Sequence, residues 1–333
     1  MMNKKLKQHR LGMVGLGSIF EHQYEALALL PDVFIVAGLC DTDSDRLASA
    51  YAKMCSTDNG KPNVNVYGNI EDLLEFGDVD TVMIATPPAT HYELVHQCLV
   101  CGKNVILEKP AVLQLAQLEE LLQLAREKGV TLYCAFHAAF APEVLWYGLN
   151  AENIKKAYEL ENVNVVRMEH RFYDNYVVDG VLMEGKETLG GSYIDSSVNE
   201  LSVAASLVDL QNYVVRSVNK ETLPDTETVC RSKLVLADEA SEMTIECHTD
   251  WTLGVNKKQT QVFYDDGTIV TLDHSSRSVQ VASWTVITQF TYEGELPRLV
   301  SHYYNLFKDA AFHLDNGTSN GSLSLMIHKL LLD

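Results

Sequence analysis

The chain has 333 residues, enough for two domains of ordinary size. It is 47% hydrophobic and 21% charged, the balance of a globular protein that can build its own core without disulfide or metal staples. Its 26 basic residues face 45 acidic ones, a formal charge of −19, which argues against nucleic acid and anionic membrane surfaces and favours a neutral small molecule, or a cofactor held by backbone amides.

No apolar run approaches the roughly 18 residues of a spanning helix. The start, Met1 to Arg10, is polar and basic through Lys4, Lys5 and Lys7. Gly12, Gly15 and Gly17 then interrupt any leader-like stretch. Seven cysteines without regular spacing fit a reduced, cytoplasmic compartment. Cys98 and Cys101 form a C-x-x-C at a helix end, where no dipole activates a thiol. No second pair completes a zinc site, so no metal is expected.

Strands and helices alternate through the first part. Residues 11–14 read as a buried strand and 19–30 as a helix stopped by Pro31. Residues 33–40 form a second strand, and Ser44 to Met54 a helix with Ser44 as its N-cap. A weak strand at 64–67, a helix at 70–76 and a strand at 81–85 follow, then Pro87-Pro88. A helix at 90–101, a strand at 104–107, a helix at 114–128 and a strand at 130–134 complete the series. Six apolar strands, each followed by a helix, predict a parallel sheet covered on both faces, a doubly wound Rossmann domain over residues 1–140.

The pattern then changes. Residues 163–172 alternate, a Gly-rich polar stretch runs to Gly191, and Ser197 to Leu207 reads as one helix. Long strands fill 213–292, with a hairpin turn at Asp266-Gly267. Met243, Ile245 and Cys247 alternate with Thr244, Glu246 and His248, so one sheet face is buried. A helix at 296–313 closes the series. The prediction for residues 141–333 is an α+β domain with an open, mainly antiparallel sheet.

Gly15-Leu16-Gly17-Ser18-Ile19-Phe20 follows the first strand and opens the first helix. The glycines permit a tight turn and close approach of a pyrophosphate to backbone N–H groups at a helix start. Asp41 ends the second strand, where an acid binds ribose hydroxyls and repels a 2′-phosphate. No basic residue follows until Arg46, so NAD is favoured over NADP.

These residues carry a resemblance to the glucose–fructose oxidoreductase/inositol dehydrogenase/MocA family of NAD(P)-dependent oxidoreductases. Gly15-Leu16-Gly17-Ser18-Ile19 resembles its G-x-G-x-I turn, and Thr86-Pro87-Pro88 with His91 its T-P-P-x-x-H. Glu108-Lys109-Pro110 matches its E-K-P, and Gly190-Gly191 with Asp195 its G-G-x-x-x-D. The resemblance implies a cofactor crevice including Gly15, Gly17, Ser18, Ile19, Asp41, Thr86, Pro87, His91, Glu108 and Lys109. It also implies a cis Lys109-Pro110 bond and a homodimer or homotetramer. Where the family commonly has an acid/base His this chain has Asn199, and Gln23 stands where many members place a His. The combination resembles the D-galactose and L-arabinose 1-dehydrogenases.

Lys109, at a parallel strand's carboxyl end, can accept a substrate hydroxyl proton when partly desolvated. Asp195 can accept a proton or bond Lys109, and Asn199, four residues on, shares its helix face but cannot titrate. His91 either lines the nicotinamide or caps its helix. Glu108 positions the loop or bonds cofactor hydroxyls. His137, Tyr173, Tyr176 and Tyr193 are candidates to touch substrate. The expected activity is oxidation of a sugar or cyclitol carbinol. The alternatives are a glycosidase or epimerase that retains its NAD, or a cofactor-binding sensor.

Overall fold

The computed structural model describes residues 8–57, 63–160, 162–284, 286–292 and 294–332. The basic residues Lys4, Lys5 and Lys7 lie outside them. Two compact units emerge: residues 1–135 with 299–325, and residues 136–298 with 326–333. Residues 299–325, assigned from the sequence to the second domain, pack with the first unit.

The first unit alternates β1 (His9–Val14), α1 (Phe20–Ala28), β2 (Phe34–Cys40), α2 (Ser44–Thr57), β3 (Asn65–Tyr67), α3 (Ile70–Phe76), β4 (Thr81–Ile84), α4 (His91–Val100), β5 (Asn104–Glu108), α5 (Leu115–Lys128) and β6 (Leu132–Ala135). The six strands form a parallel sheet in the order β3-β2-β1-β4-β5-β6. β1, β4 and β5 are almost wholly buried, as strands covered on both faces must be. The last strand starts two residues later than expected. Gly129 closes α5 in the left-handed conformation, and the Val130 N–H is spent on the Ala125 carbonyl. Asp43, not Ser44, caps α2, its Oδ1 accepting from the Asp45 and Arg46 N–H groups.

The second unit begins with α6 (Pro142–Ala157), β7 (Val165–Tyr173), the small hairpin β8 (Val177–Val178) and β9 (Val181–Leu182), α7 (Gly191–Asp195) and α8 (Ser197–Leu207). Then come β10 (Tyr213–Thr222), β11 (Val229–Asp238), β12 (Thr244–Asp250), β13 (Lys257–Tyr264), β14 (Ile269–Asp273), β15 (Ser278–Ala282) and β16 (Ile287–Thr291). The eight-stranded sheet runs β10-β11-β12-β7-β13-β14-β15-β16, antiparallel except between β12 and β7. Met243, Ile245 and Cys247 are buried as the alternation predicts, and Gly267 turns the β13–β14 hairpin at φ +89°.

The chain ends in α9 (Arg298–Asn316) and α10 (Gly321–Leu332); the second of these was not anticipated. Pro297, which cannot continue a strand ladder, precedes α9. No helix among the described residues is long and apolar enough to cross a membrane.

Candidate functional site

The first unit's site grows from the turn after β1. Gly15 adopts φ +87°, and a Cβ there would stand 2.7 Å from the carbonyl carbon and oxygen of Ala85. Its bare backbone is therefore a demand of the fold itself. A Cβ on Gly17 would meet nothing within 4 Å, so this glycine leaves room for something outside the chain. The Leu16 N–H donates to Asp41 Oδ2 at 2.7 Å and the Asp43 N–H to Asp41 Oδ1 at 2.9 Å. The acid at the end of β2 is thereby clasped to the glycine turn. Ser18 is exposed and Ile19 half-buried just before α1 begins. Phe20, which occupies the third glycine position, is buried and stacks on Tyr24 with 5.9 Å between ring centroids. It belongs to the core and does not crowd the turn. A pyrophosphate and its ribose fit this arrangement: an open glycine, a helix start and a ribose-type acid lie together.

The ends of β4 and β5 supply the rest. Thr86 is half-buried, Pro87 exposed, and the Thr90 hydroxyl donates to Thr86 Oγ1 at 2.8 Å. His91 is fully buried, with Nδ1 2.9 Å from the Pro110 carbonyl and Nε2 2.9 Å from the Thr86 carbonyl. Burial holds its imidazole below the ordinary range, against the pull of those carbonyls. Both ring nitrogens are engaged with the two loops. His91 thus ties the two loops together and does not cap α4, whose N-cap is Thr90.

Glu108 is buried as well. Its Oε1 accepts from Gln23 Nε2 at 2.9 Å and from the Tyr303 hydroxyl at 2.5 Å, and its Oε2 from the Lys109 N–H at 3.2 Å. Burial raises its carboxyl while these donors oppose the rise. Both oxygens take part in holding the start of the Lys109 loop to α1 and α9. Lys109 is half-buried and its bond to Pro110 is cis, as the resemblance implies.

In the second unit Gly191 has φ +82°, and a Cβ there would stand 2.9 Å from the Val229 carbonyl oxygen. The chain then forms α7, ends it at Asp195, and restarts in α8. Asp195 and Asn199 are 8% and 6% exposed, so neither is a solvated surface group. Asn199 Nδ2 donates to the Asp195 carbonyl at 3.2 Å, and its buried Oδ1 has no hydrogen-bond partner in the protein. That oxygen remains able to accept from a ligand. His137 opens a single 3-10 turn and is half-buried. Tyr173 ends β7 half-buried, and burial raises its phenol.

Tyr193 is a correction. Its hydroxyl donates to the Leu331 carbonyl at 2.9 Å, and the Lys220 ammonium sits 3.6 Å from its ring centroid. The hydroxyl proton and one ring face are spent inside the protein, and the side chain is only 4% exposed, which disfavours a sugar contact. Tyr176 packs edge-on against Trp251 at 5.1 Å, with the Lys186 ammonium 4.3 Å from its ring.

Two arrangements escaped the sequence reading. One is Tyr303, which reaches Glu108 from α9. The other is a buried chain: His170 Nδ1 to Thr260 Oγ1 at 2.9 Å, Thr260 Oγ1 to His274 Nε2 at 2.9 Å, and His274 Nδ1 to Glu143 Oε1 at 2.7 Å. No local motif announces either one. Among the described residues, Glu169, Glu246 and His248 bring ligand-type atoms within 4.8 Å of one another. Arg171 and Lys233 already pair with those carboxylates, which opposes a cation there. Cys98 is buried with its thiol pushed up, unlike a redox cysteine, and all seven cysteines are free.

Residues 9–136 match the oxidoreductase family with an NAD-binding Rossmann fold, Gfo/Idh/MocA. The matched residues hold all six strands of the parallel sheet, so the similarity rests on a Rossmann sheet of the NAD-binding kind. A glycosyl hydrolase family 109 protein of Streptomyces niveus is 37% identical over 120 residues, 35% of this chain and 24% of that protein. The myo-inositol 2-dehydrogenase of Thermotoga maritima is 26% identical over 198 residues, 59% of this chain and 53% of that one. This chain thus spans about a quarter and about half of those two relatives. KijD10, a 3-ketoreductase from Actinomadura kijaniata solved with NADP and TDP-benzene, shares the fold. Its TM-score is 0.78 at 17% identity, covering 96% of this chain and 95% of that one.

Proposed function

We propose that the protein is an NAD-preferring dehydrogenase that oxidises a carbinol of a sugar or cyclitol, most simply the anomeric carbon of an aldose. The observation that carries this reading is the carboxyl edge of the first sheet. There the open glycine turn after β1, the Asp41 clasp after β2 and Lys109 after β5 belong to one parallel sheet. Ligands in such sheets bind outside the carboxyl ends of the strands.

A bound NAD, held at the Gly15–Gly17 turn and Asp41, would supply the hydride acceptor for the carbinol carbon. The amine of Lys109 takes the hydroxyl proton. Asp195 supplies a carboxylate for proton relay, and Asn199 Oδ1 accepts a hydrogen bond from a substrate hydroxyl without titrating. His137 and Tyr173 are substrate contacts in this reading. Asp41, with both oxygens turned to backbone N–H groups, disfavours a 2′-phosphate and so supports NAD over NADP. The open sheet supports a homodimer or homotetramer.

The test is reduced-nicotinamide absorbance on mixing the protein with NAD or NADP across aldoses, cyclitols and amino sugars, with Lys109→Met as the blank. Turnover with NAD that vanishes in the blank supports the reading; equal turnover in the blank contradicts it. A second reading, glycosidic cleavage with a retained cofactor, draws support from the 37% identity to the family 109 relative. It requires release of free sugar from a glycoside with no net reduction of added NAD.

A further inference from the structure

A carboxylate without access to water is stable as an anion only when donors replace its hydration. Glu108 comes close to this, being 8% exposed. Three elements converge on it: α1 through Gln23, α9 through Tyr303, and its own strand end through the Lys109 N–H. Gln23 and Tyr303 are each fully buried, and Tyr303 comes from 195 positions away. Tyr303 makes the shortest of the three bonds.

We infer that Tyr303 is a positioning residue of the proposed reaction: its hydroxyl, together with the Gln23 amide, fixes the Glu108 carboxylate that holds the backbone of Lys109. The inference rests on the reading that Lys109 takes the substrate proton. A base is most effective when a third group orients it, and Glu108 fills that place for Lys109. An ionised Glu108 also favours the ammonium that forms on Lys109.

The charged and titratable groups around Glu108 are few. Lys109 lowers its carboxyl, and the Tyr303 phenol is itself driven well up by burial and by the Glu108 charge. His91 from α4, two residues along at the Pro110 carbonyl, has its imidazole lowered by burial. Gln23 carries no charge. Loss of the Tyr303 hydroxyl leaves burial less opposed, so the Glu108 carboxyl should hold its proton to higher pH.

The test is Tyr303→Phe in the full chain, read two ways. The first is the side-chain carboxyl 13C signal of Glu108 in glutamate-labelled protein, assigned by its disappearance in Glu108→Gln. Its titration midpoint is expected to rise by at least one pH unit. The second is kcat against pH: its acid limb, set by deprotonation of Lys109, is expected to move down as Glu108 loses its charge, with NADH affinity unchanged. Gln23→Met should shift each readout in the direction given for Tyr303→Phe, by less, and it replaces Tyr303→Phe should that variant fail to fold.

An unmoved Glu108 titration overturns the inference. A titration that moves while the acid limb stays overturns the role in the reaction. Failure of the Lys109 reading shows separately, as full turnover in Lys109→Met, and the carbon signal still decides whether Tyr303 controls Glu108.

Discussion

The carboxyl edge of the first sheet and the buried face of the second sheet both hold polar side chains out of water, but they use them differently. At the first, Asp41, His91 and Glu108 bond backbone groups of nearby turns and leave Gly17 facing open space. At the second, His170, Thr260, His274 and Glu143 bond one another in a chain that consumes their donors. The first arrangement leaves open space beside its turn; the second closes on itself. Loss of a polar atom should therefore cost ligand binding in one region and stability in the other.

The largest effect should come from the one position at the first edge where the fold itself demands a bare backbone. Gly15→Ala places a Cβ 2.7 Å from the Ala85 carbonyl at a positive φ. Strain and overpacking together should cost about 4 kcal/mol in denaturant unfolding. A variant as stable as the parent would show that the β1 and β4 ends have slack. Next comes Thr260→Val. It strands His274 Nε2 and His170 Nδ1 in the core, at about 3 kcal/mol for two unmet groups. An unchanged midpoint would mean that the buried chain contributes nothing.

The pH dependence sharpens the comparison. Burial pushes His170 down to about 3 from an ordinary 6.5. Between those values the unfolded chain binds a proton that the folded protein refuses, so this contribution is complete above pH 6.5 and shrinks as pH falls toward 3. The slope is at most about 1.4 kcal/mol per pH unit. Thermal melts of the protein and of His170→Gln should converge on acidification; parallel melting curves would contradict the sign. The smallest effect belongs to Tyr193→Phe. It loses one hydrogen bond to Leu331, about 1 kcal/mol, with no change in kcat/KM. A loss of turnover would return Tyr193 to the substrate site.

The same contrast explains what could be read from the sequence. The glycine turn, Asp41, the strand-end Thr86-Pro87, Glu108-Lys109-Pro110 and the Gly190-Gly191 segment are short because their geometry is local. A strand end, a φ above zero or a helix start is set within a few residues, and the pattern of apolar strands orders them. The Tyr303–Glu108 bond joins positions 195 apart, and His274–Glu143 joins positions 131 apart. Tertiary packing alone makes such contacts, and no neighbouring residue in the sequence marks Tyr303 or His274 for them. Tyr193 misled for the same reason: its nearness to the Gly-rich stretch in sequence said nothing about Leu331, which takes its hydroxyl. His91 was legible as a residue of the site but not in its role, since that depends on two carbonyls in separate loops.

The most direct test of the central claim, that the first edge is built for a nicotinamide cofactor, is an NADH titration followed by energy transfer from tryptophan, on the parent and on Gly17→Ala. The Cβ added at Gly17 meets nothing in the protein. The variant should therefore melt where the parent does and bind NADH at least about tenfold more weakly, a loss of about 1.4 kcal/mol. Equal affinity in the two proteins, or no binding by the parent, would contradict the account.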